Sequence, residues 1–286
     1  MDDAIYDVAY AACYDNEDLR DLAERFEAIG REWPIDHARR IYRDIGDHEK
    51  YLELRLLKMK YGGDYHDLAT FYWGTGNRDK AIDIGKKGIK KAEGRMDELR
   101  SFMAERAIEA DDRPGYLELQ FAQATDRLTL GDYKSFKNIC KKGEWLLYEP
   151  RLLKELEKAW GSERLKIHMF RKEYDEALAI LTKSLYPDTL YGESDILETA
   201  AKPEKPYPEE ILKFYMTGLG NLNYSLNRKA YAQKAKVMKK VRHIYVDVMN
   251  SPDIRQKFAR NVKNLNLKRP AFQEEFAKLI PGWKNL

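Results

Sequence analysis

Apolar residues recur along this chain in runs with helical spacing. Each run is closed by a short turn, and five residues after the turn residue another apolar side chain opens the next run. Gly46 through Leu54 lines up with Gly76 through Ile84, so Tyr51 and Ala81 hold the same place, and Asp111 through Leu119 ends in the Tyr-Leu-Glu-Leu that closes the first copy. With the turn residue as marker, the series is Tyr14, Gly46, Gly76, Asp111, Gly143, Lys172 and Pro206, at separations of 32, 30, 35, 32, 29 and 34 residues. That spacing fits one helix, a turn and a second helix. No stretch alternates with the two-residue period of a strand, so the pattern predicts an all-α chain of stacked helical hairpins.

Prolines at 203, 206 and 208 cannot occupy a helix interior and are expected to join two elements. Beyond them, Asn227 to Met249 holds neither proline nor glycine, and Tyr231, Val237, Met238, Val241, Ile244, Tyr245 and Val248 fall on one broad face at 100° per residue. This predicts the longest helix of the chain, followed by a closing pair between Pro252 and Pro281. The organisation expected is residues 1–202 as helical repeats, then residues 203–286 as a further repeat with capping helices, continuous with the same solenoid.

Tyr65, Leu68, Ala69 and Tyr72, followed by Ala81, resemble the tetratricopeptide pattern of an aromatic, a leucine, a small residue, a tyrosine and a later alanine. Antiparallel helices joined by a tight turn need small residues where backbones meet, and rings such as Tyr10, Tyr42 and Tyr72 to fill the space between hairpins. Toward the C-terminus, Tyr207-Pro-Glu-Glu210, Asn227-Arg-x-x-Tyr231-x-x-x-Ala235, Arg242-x-x-Tyr245 and Lys268-Arg-x-Ala-Phe272-x-x-Glu275 follow in order. The series resembles the helical-repeat region that follows the zinc-binding module in SWIM zinc-finger proteins of bacteria and archaea, over roughly Asp36 to Leu279. The resemblance implies a tetratricopeptide-like α-solenoid whose partners are poorly defined. The zinc module itself needs a Cys-x-Cys and a Cys-x-His, which Cys13 and Cys140 do not supply. The finger is therefore expected outside this chain or missing, and its binding activity is not carried over.

The 286 residues, 43% hydrophobic, can bury about two domain cores. Mean hydropathy is -0.70, and the longest apolar run, Ala4 to Ala12, is broken by Asp7, so no membrane span is expected. With no basic and apolar leader at Met1 and two lone cysteines, the expectation is a cytoplasmic protein with reduced thiols. Fifty-one basic residues against 48 acidic ones leave a net charge of only +3, but the charge is uneven. Residues 1–36 hold eleven acids and three bases, net -8, while residues 221–286 hold fifteen bases and four acids, net +11.

Known catalytic patterns fail at their key positions. Gly74-x-Gly76 continues to Asp79 without a third glycine, and Gly85-Lys86 lacks the glycine-rich loop and hydroxyl residue of a phosphate cradle. His37, His48, His66, His168 and His243 are scattered, and His168 takes the place of the early tyrosines, which argues for packing. Glu209-Glu210 and Glu274-Glu275 are neighbours on helices and do not face one another. Lys141 and Lys142 flank Cys140 with no base beside it, which suits a half-buried structural thiol. No metal or cofactor is expected, and the chain is read as a non-enzyme.

Surface chemistry remains. In a solenoid the first helix of each hairpin lines the concave face, where this register places Arg40, Arg43, His66, Trp73, Tyr133, Lys137 and Lys166. Guanidinium groups beside aromatic rings suit a carboxylate-bearing peptide, which makes a protein-interaction scaffold the leading reading. The alternative is a nucleic-acid-associated protein that contacts phosphates through Arg228, Lys229, Lys236, Lys239 and Lys240, with no acid between Arg228 and Arg242. Self-association of the acidic N-terminal segment with the basic C-terminal one is a further expectation.

Overall fold

The computed structural model describes residues 3–187, 195–220, 222 and 226–286. Among them are seventeen α-helices, no named strand, and two compact units, Met1–Gln123 and Ala124–Leu286. The first unit holds α1 (Asp3–Ala11), α2 (Asn16–Ile29), α3 (Glu32–Asp44), α4 (His48–Leu57), α5 (Gly62–Gly74), α6 (Arg78–Lys91), α7 (Asp97–Glu109) and most of α8 (Arg113–Thr125). The second holds α9 (Leu130–Ile139), α10 (Lys142–Leu156), α11 (Gly161–Arg171), α12 (Tyr174–Lys183), α13 (Asp195–Ala201), α14 (Pro208–Leu219), α15 (Arg228–His243), α16 (Pro252–Leu265) and α17 (Pro270–Leu279). Helices pack on their chain neighbours, as α3 on α4 and α5 on α6, and on the helix two further along, as α5 on α7 and α15 on α17. The fold is all-α, with the neighbour-to-neighbour packing of helical repeats.

The turns explain the period. Gly46, Gly76, Asp111 and Lys172 all lie in the left-handed region, with φ of 81°, 83°, 54° and 64°. In each case the next N–H, of Asp47, Asn77, Asp112 and Glu173, donates to the carbonyl five residues back, on Tyr42, Tyr72, Ala107 and His168, at 2.8, 2.9, 2.8 and 2.9 Å. This bond satisfies a carbonyl that the helix end leaves open, and the reversed φ turns the chain into the second helix. The marker at Gly143 behaves differently, because the Glu144 carboxylate accepts the Lys141 N–H at 2.6 Å and starts α10 at Lys142. The connection is therefore the extended pair Cys140 and Lys141, and Gly143 falls inside the first turn of the helix.

Each unit has its own core. Tyr42, Tyr51, Leu68, Ala69, Tyr72, Ala81 and Leu99 are buried together in the first, with both repeat alanines fully covered. Helix α6 approaches its neighbours through Gly88, where a Cβ would lie 2.6 Å from that of Tyr65. In the second unit Phe214, Tyr215, Tyr231, Val241, Phe272, Phe276 and Trp283 form the core. The prolines near position 206 lie in the turn that leads to Pro208, the first residue of α14. Helix α15, at 16 residues the longest described, runs on as a π-helical turn over Ile244–Val248. There the wider winding leaves Tyr245 and Val248 half-buried instead of fully covered. No described helix is long and apolar enough to cross a membrane.

Candidate functional site

Helical spacing puts Asp36, Arg39, Arg40 and Arg43 along one side of α3, and Asp64 and Asp67, three residues apart, on one side of α5. Asp64 holds the start of α5 by accepting the N–H groups of Lys60 and Tyr61 at 3.0 and 2.8 Å. Its other oxygen accepts the Arg55 guanidinium at 2.8 Å. Arg55 comes from α4 with only 3% of its side chain exposed.

Asp67 is the hub. Its carboxylate accepts Arg43 at 2.5 Å, Tyr51 Oη at 3.1 Å and Arg55 at 3.3 Å, and lies 3.4 Å from Arg39, which also binds Asp36 at 2.6 Å. Arg43 reaches on to the Asp67 carbonyl at 3.0 Å and to Thr70 Oγ1 at 3.2 Å. Burial pushes the Arg55 guanidinium below its ordinary range, and the positive charge of Arg39 adds to this. The Tyr51 phenol is held well above its usual value, first by burial and then by the negative charge of Asp67. The arrangement keeps Tyr51 a neutral donor and packs several guanidinium groups around one carboxylate.

Between these helices opens a cleft of about 380 Å³, lined by Arg39, Arg40, Arg43, Arg55, Tyr61, Asp64, His66, Asp67 and Glu98 among others. Arg40 is exposed and makes no ion pair among the described residues, and the Arg43 side chain is 32% exposed. His66 Nδ1 stands 3.8 Å from Glu98 of α7, and Tyr61 sits half open at the cleft. Arg39, Arg43 and Arg55 are engaged by Asp36, Asp64 and Asp67, and Arg40 stands exposed beside them. The chemistry fits bidentate capture of a further carboxylate, with an aromatic ring beside it.

Of the seven residues expected on a docking face, Arg40, Arg43 and His66 line this one cleft. Trp73 does not line it. Its ring is half-buried edge-on to Phe102, with the Arg106 guanidinium at 4.3 Å and that of Arg78 at 5.1 Å. Tyr133, Lys137 and Lys166 belong to the second unit. Tyr133 is a core ring, 1% exposed, whose hydroxyl donates to Glu149 at 2.6 Å and accepts from Arg171 at 2.9 Å. Arg171 pairs with Glu149 and with Glu173, which lies 2.9 Å from His168 Nδ1. That chain of contacts explains His168 as a packed, paired residue. The hydrogen bond from Arg171 holds the Glu173 carboxyl below its ordinary value, and the bond with His168 adds to it. Lys137 is exposed with its ammonium 5.4 Å from the Trp145 ring, and Lys166 pairs with Glu163 at 2.8 Å.

The basic helix is divided in its chemistry. Arg228 is held by Glu274 at 2.7 Å and Glu275 at 3.0 Å, and the Lys240 ammonium lies 5.4 Å from the Tyr215 ring. Lys229, Lys236 and Lys239 are exposed and form no ion pair among the described residues. Cys13 and Cys140 are partly covered and form no disulfide among the described residues.

Sequence reasoning missed Arg39, Tyr51, Arg55, Asp64 and Asp67. Arg39 with Arg43 at four residues, and Asp64 with Asp67 at three, are helix-face pairs that could have been paired across the hairpins. Among the described residues no group of three or more His, Cys, Asp or Glu is placed to hold a metal ion. Comparison of the chain with known protein families, with curated proteins and with solved structures finds no match.

Proposed function

We propose that this chain is a non-catalytic interaction scaffold whose cleft between α3 and α5 docks an acidic, carboxylate-bearing peptide. The observation that carries the reading is the convergence of Arg39, Arg40, Arg43 and Arg55 on one cleft, with Arg40 unpaired and Arg43 partly open. Two hydroxyls at this centre, Tyr51 and Thr70, are committed as donors to Asp67, which suits a rigid recognition surface better than a nucleophile. Fluorescence anisotropy with a labelled Glu- and Asp-rich peptide, and with its Gln and Asn counterpart, tests it. The acidic peptide binds, the amide peptide binds at least tenfold more weakly, and Arg40→Ala with Arg43→Ala abolishes the difference. Equal binding of both peptides would discard the cleft as the docking site.

A second reading is favoured by the unpaired stripe of Lys229, Lys236 and Lys239: phosphate contacts to nucleic acid, in concert with a SWIM zinc module outside this sequence. Three neutralised phosphates weaken duplex binding about fortyfold between roughly 50 and 200 mM salt. A gel-shift titration that shows no binding at the lower salt removes this reading and leaves the first intact.

A further inference from the structure

A second recess of about 370 Å³ runs between α6 and α8 with α7 as its floor. Ile82, Ile89, Met103, Ala107, Ala110 and Leu119 make it apolar. Met103 and Leu99 of α7 face Gly85 and Gly88 of α6, so the two helices run antiparallel, and the missing side chains on α6 let them come close. At the rim, Lys86 and Lys90 stand one turn apart, exposed, with no ion pair, hydrogen bond or ring contact among the described residues. Arg106, also at the recess, is already balanced by Glu105 at 3.1 Å and Glu109 at 2.8 Å. Two like charges at this spacing disfavour the helix slightly, and an anion between them reverses the sign.

We propose that this recess binds a free single-chain carboxylate amphiphile, with its head between Lys86 and Lys90 and its tail laid over Met103 toward Ala110. From Leu99, which faces Gly88 between the two lysines, to Ala110 the floor of the trough spans about 16 Å at the helical rise, enough for an extended dodecanoate chain. The site is independent of the arginine cleft.

The test is isothermal titration of the full chain with sodium dodecanoate below its micelle concentration, beside decanoate and dodecyltrimethylammonium. Saturable one-site dodecanoate binding is expected, about tenfold weaker for decanoate because two methylenes are lost from a half-open trough. The cationic amphiphile is expected not to bind. Lys86→Gln with Lys90→Gln, both exposed, should weaken dodecanoate at least tenfold, and Ala110→Phe, which fills the trough from an exposed position, should abolish it with helicity unchanged. If Ala110→Phe disturbs the fold, the lysine pair and the chain-length ratio decide alone. Absence of saturable binding, equal affinity for the two head groups, or binding only of an acidic helical peptide would overturn the proposal.

Discussion

Asp67 shows how one carboxylate can organise a repeat junction. It links α3, α4 and α5 through Arg39, Arg43, Arg55 and Tyr51, and it shares the buried Arg55 with Asp64. Asp67→Ala should therefore cost about 3 kcal/mol, because a buried guanidinium loses a partner while its own desolvation remains. Urea unfolding midpoints measure this, and a variant indistinguishable from the parent would show that Asp64 alone carries Arg55. Glu173 gives the corresponding effect in pH. Its folded carboxyl titrates below its ordinary value of 4.5, so its contribution is present above that pH and is lost as acid protonates the folded state. Glu173→Gln should lower stability by about 1 kcal/mol at neutral pH. The gap in melting temperature should close as the pH falls below 4.5, and a gap constant down to the acid limit would contradict the assignment.

At the scale of elements, the four left-handed turns make a matched set with different costs. At Gly46 and Gly76 a Cβ would meet nothing within 4 Å, so any penalty of substitution is conformational and not steric. Gly46→Ala should cost about 1 kcal/mol. Lys172, which carries a side chain in the same conformation at φ 64°, offers the reverse experiment. Lys172→Gly should stabilise by about 0.5 kcal/mol, as relief of the left-handed backbone outweighs the added freedom of the unfolded chain. Thermal unfolding of the two variants checks the pair, and shifts of the same sign would sink the shared-turn interpretation.

For the molecule as a whole, the division at Gln123 and Ala124 gives two units with separate cores. In a chain whose helices contact chiefly their neighbours, a block that keeps its own core can fold by itself. The fragment Met1–Gln123 should show helical circular dichroism and a cooperative melt, since all of its core from Tyr6 to Met103 lies within it. A non-cooperative melt would mean that this core depends on the rest of the chain. The opposite charges of the two ends, net -8 and net +11, do not alter this test at moderate salt, where exposed charges are screened within about 10 Å.

What the sequence alone determined about this protein is periodic and local. Turn residues near thirty-residue intervals marked four helix ends because glycine, or a residue that tolerates positive φ, is needed there. The small residues Ala69 and Ala81, and the uninterrupted amphipathic run of α15, were legible for the same reason: helix geometry converts spacing directly into a face. Arg40, Arg43 and His66 could be picked as a set because each lies on the helix that precedes its turn, the first of its hairpin. Only the tertiary structure decided which cations are free. Arg228 and Lys240 looked equivalent to Lys229 and Lys236 along the helix, yet Glu274, Glu275 and the Tyr215 ring come from distant segments and engage the first two. Tyr133 likewise became a core ring, and Asp67 became a hub, through contacts between helices whose sequence separation no single-helix period encodes.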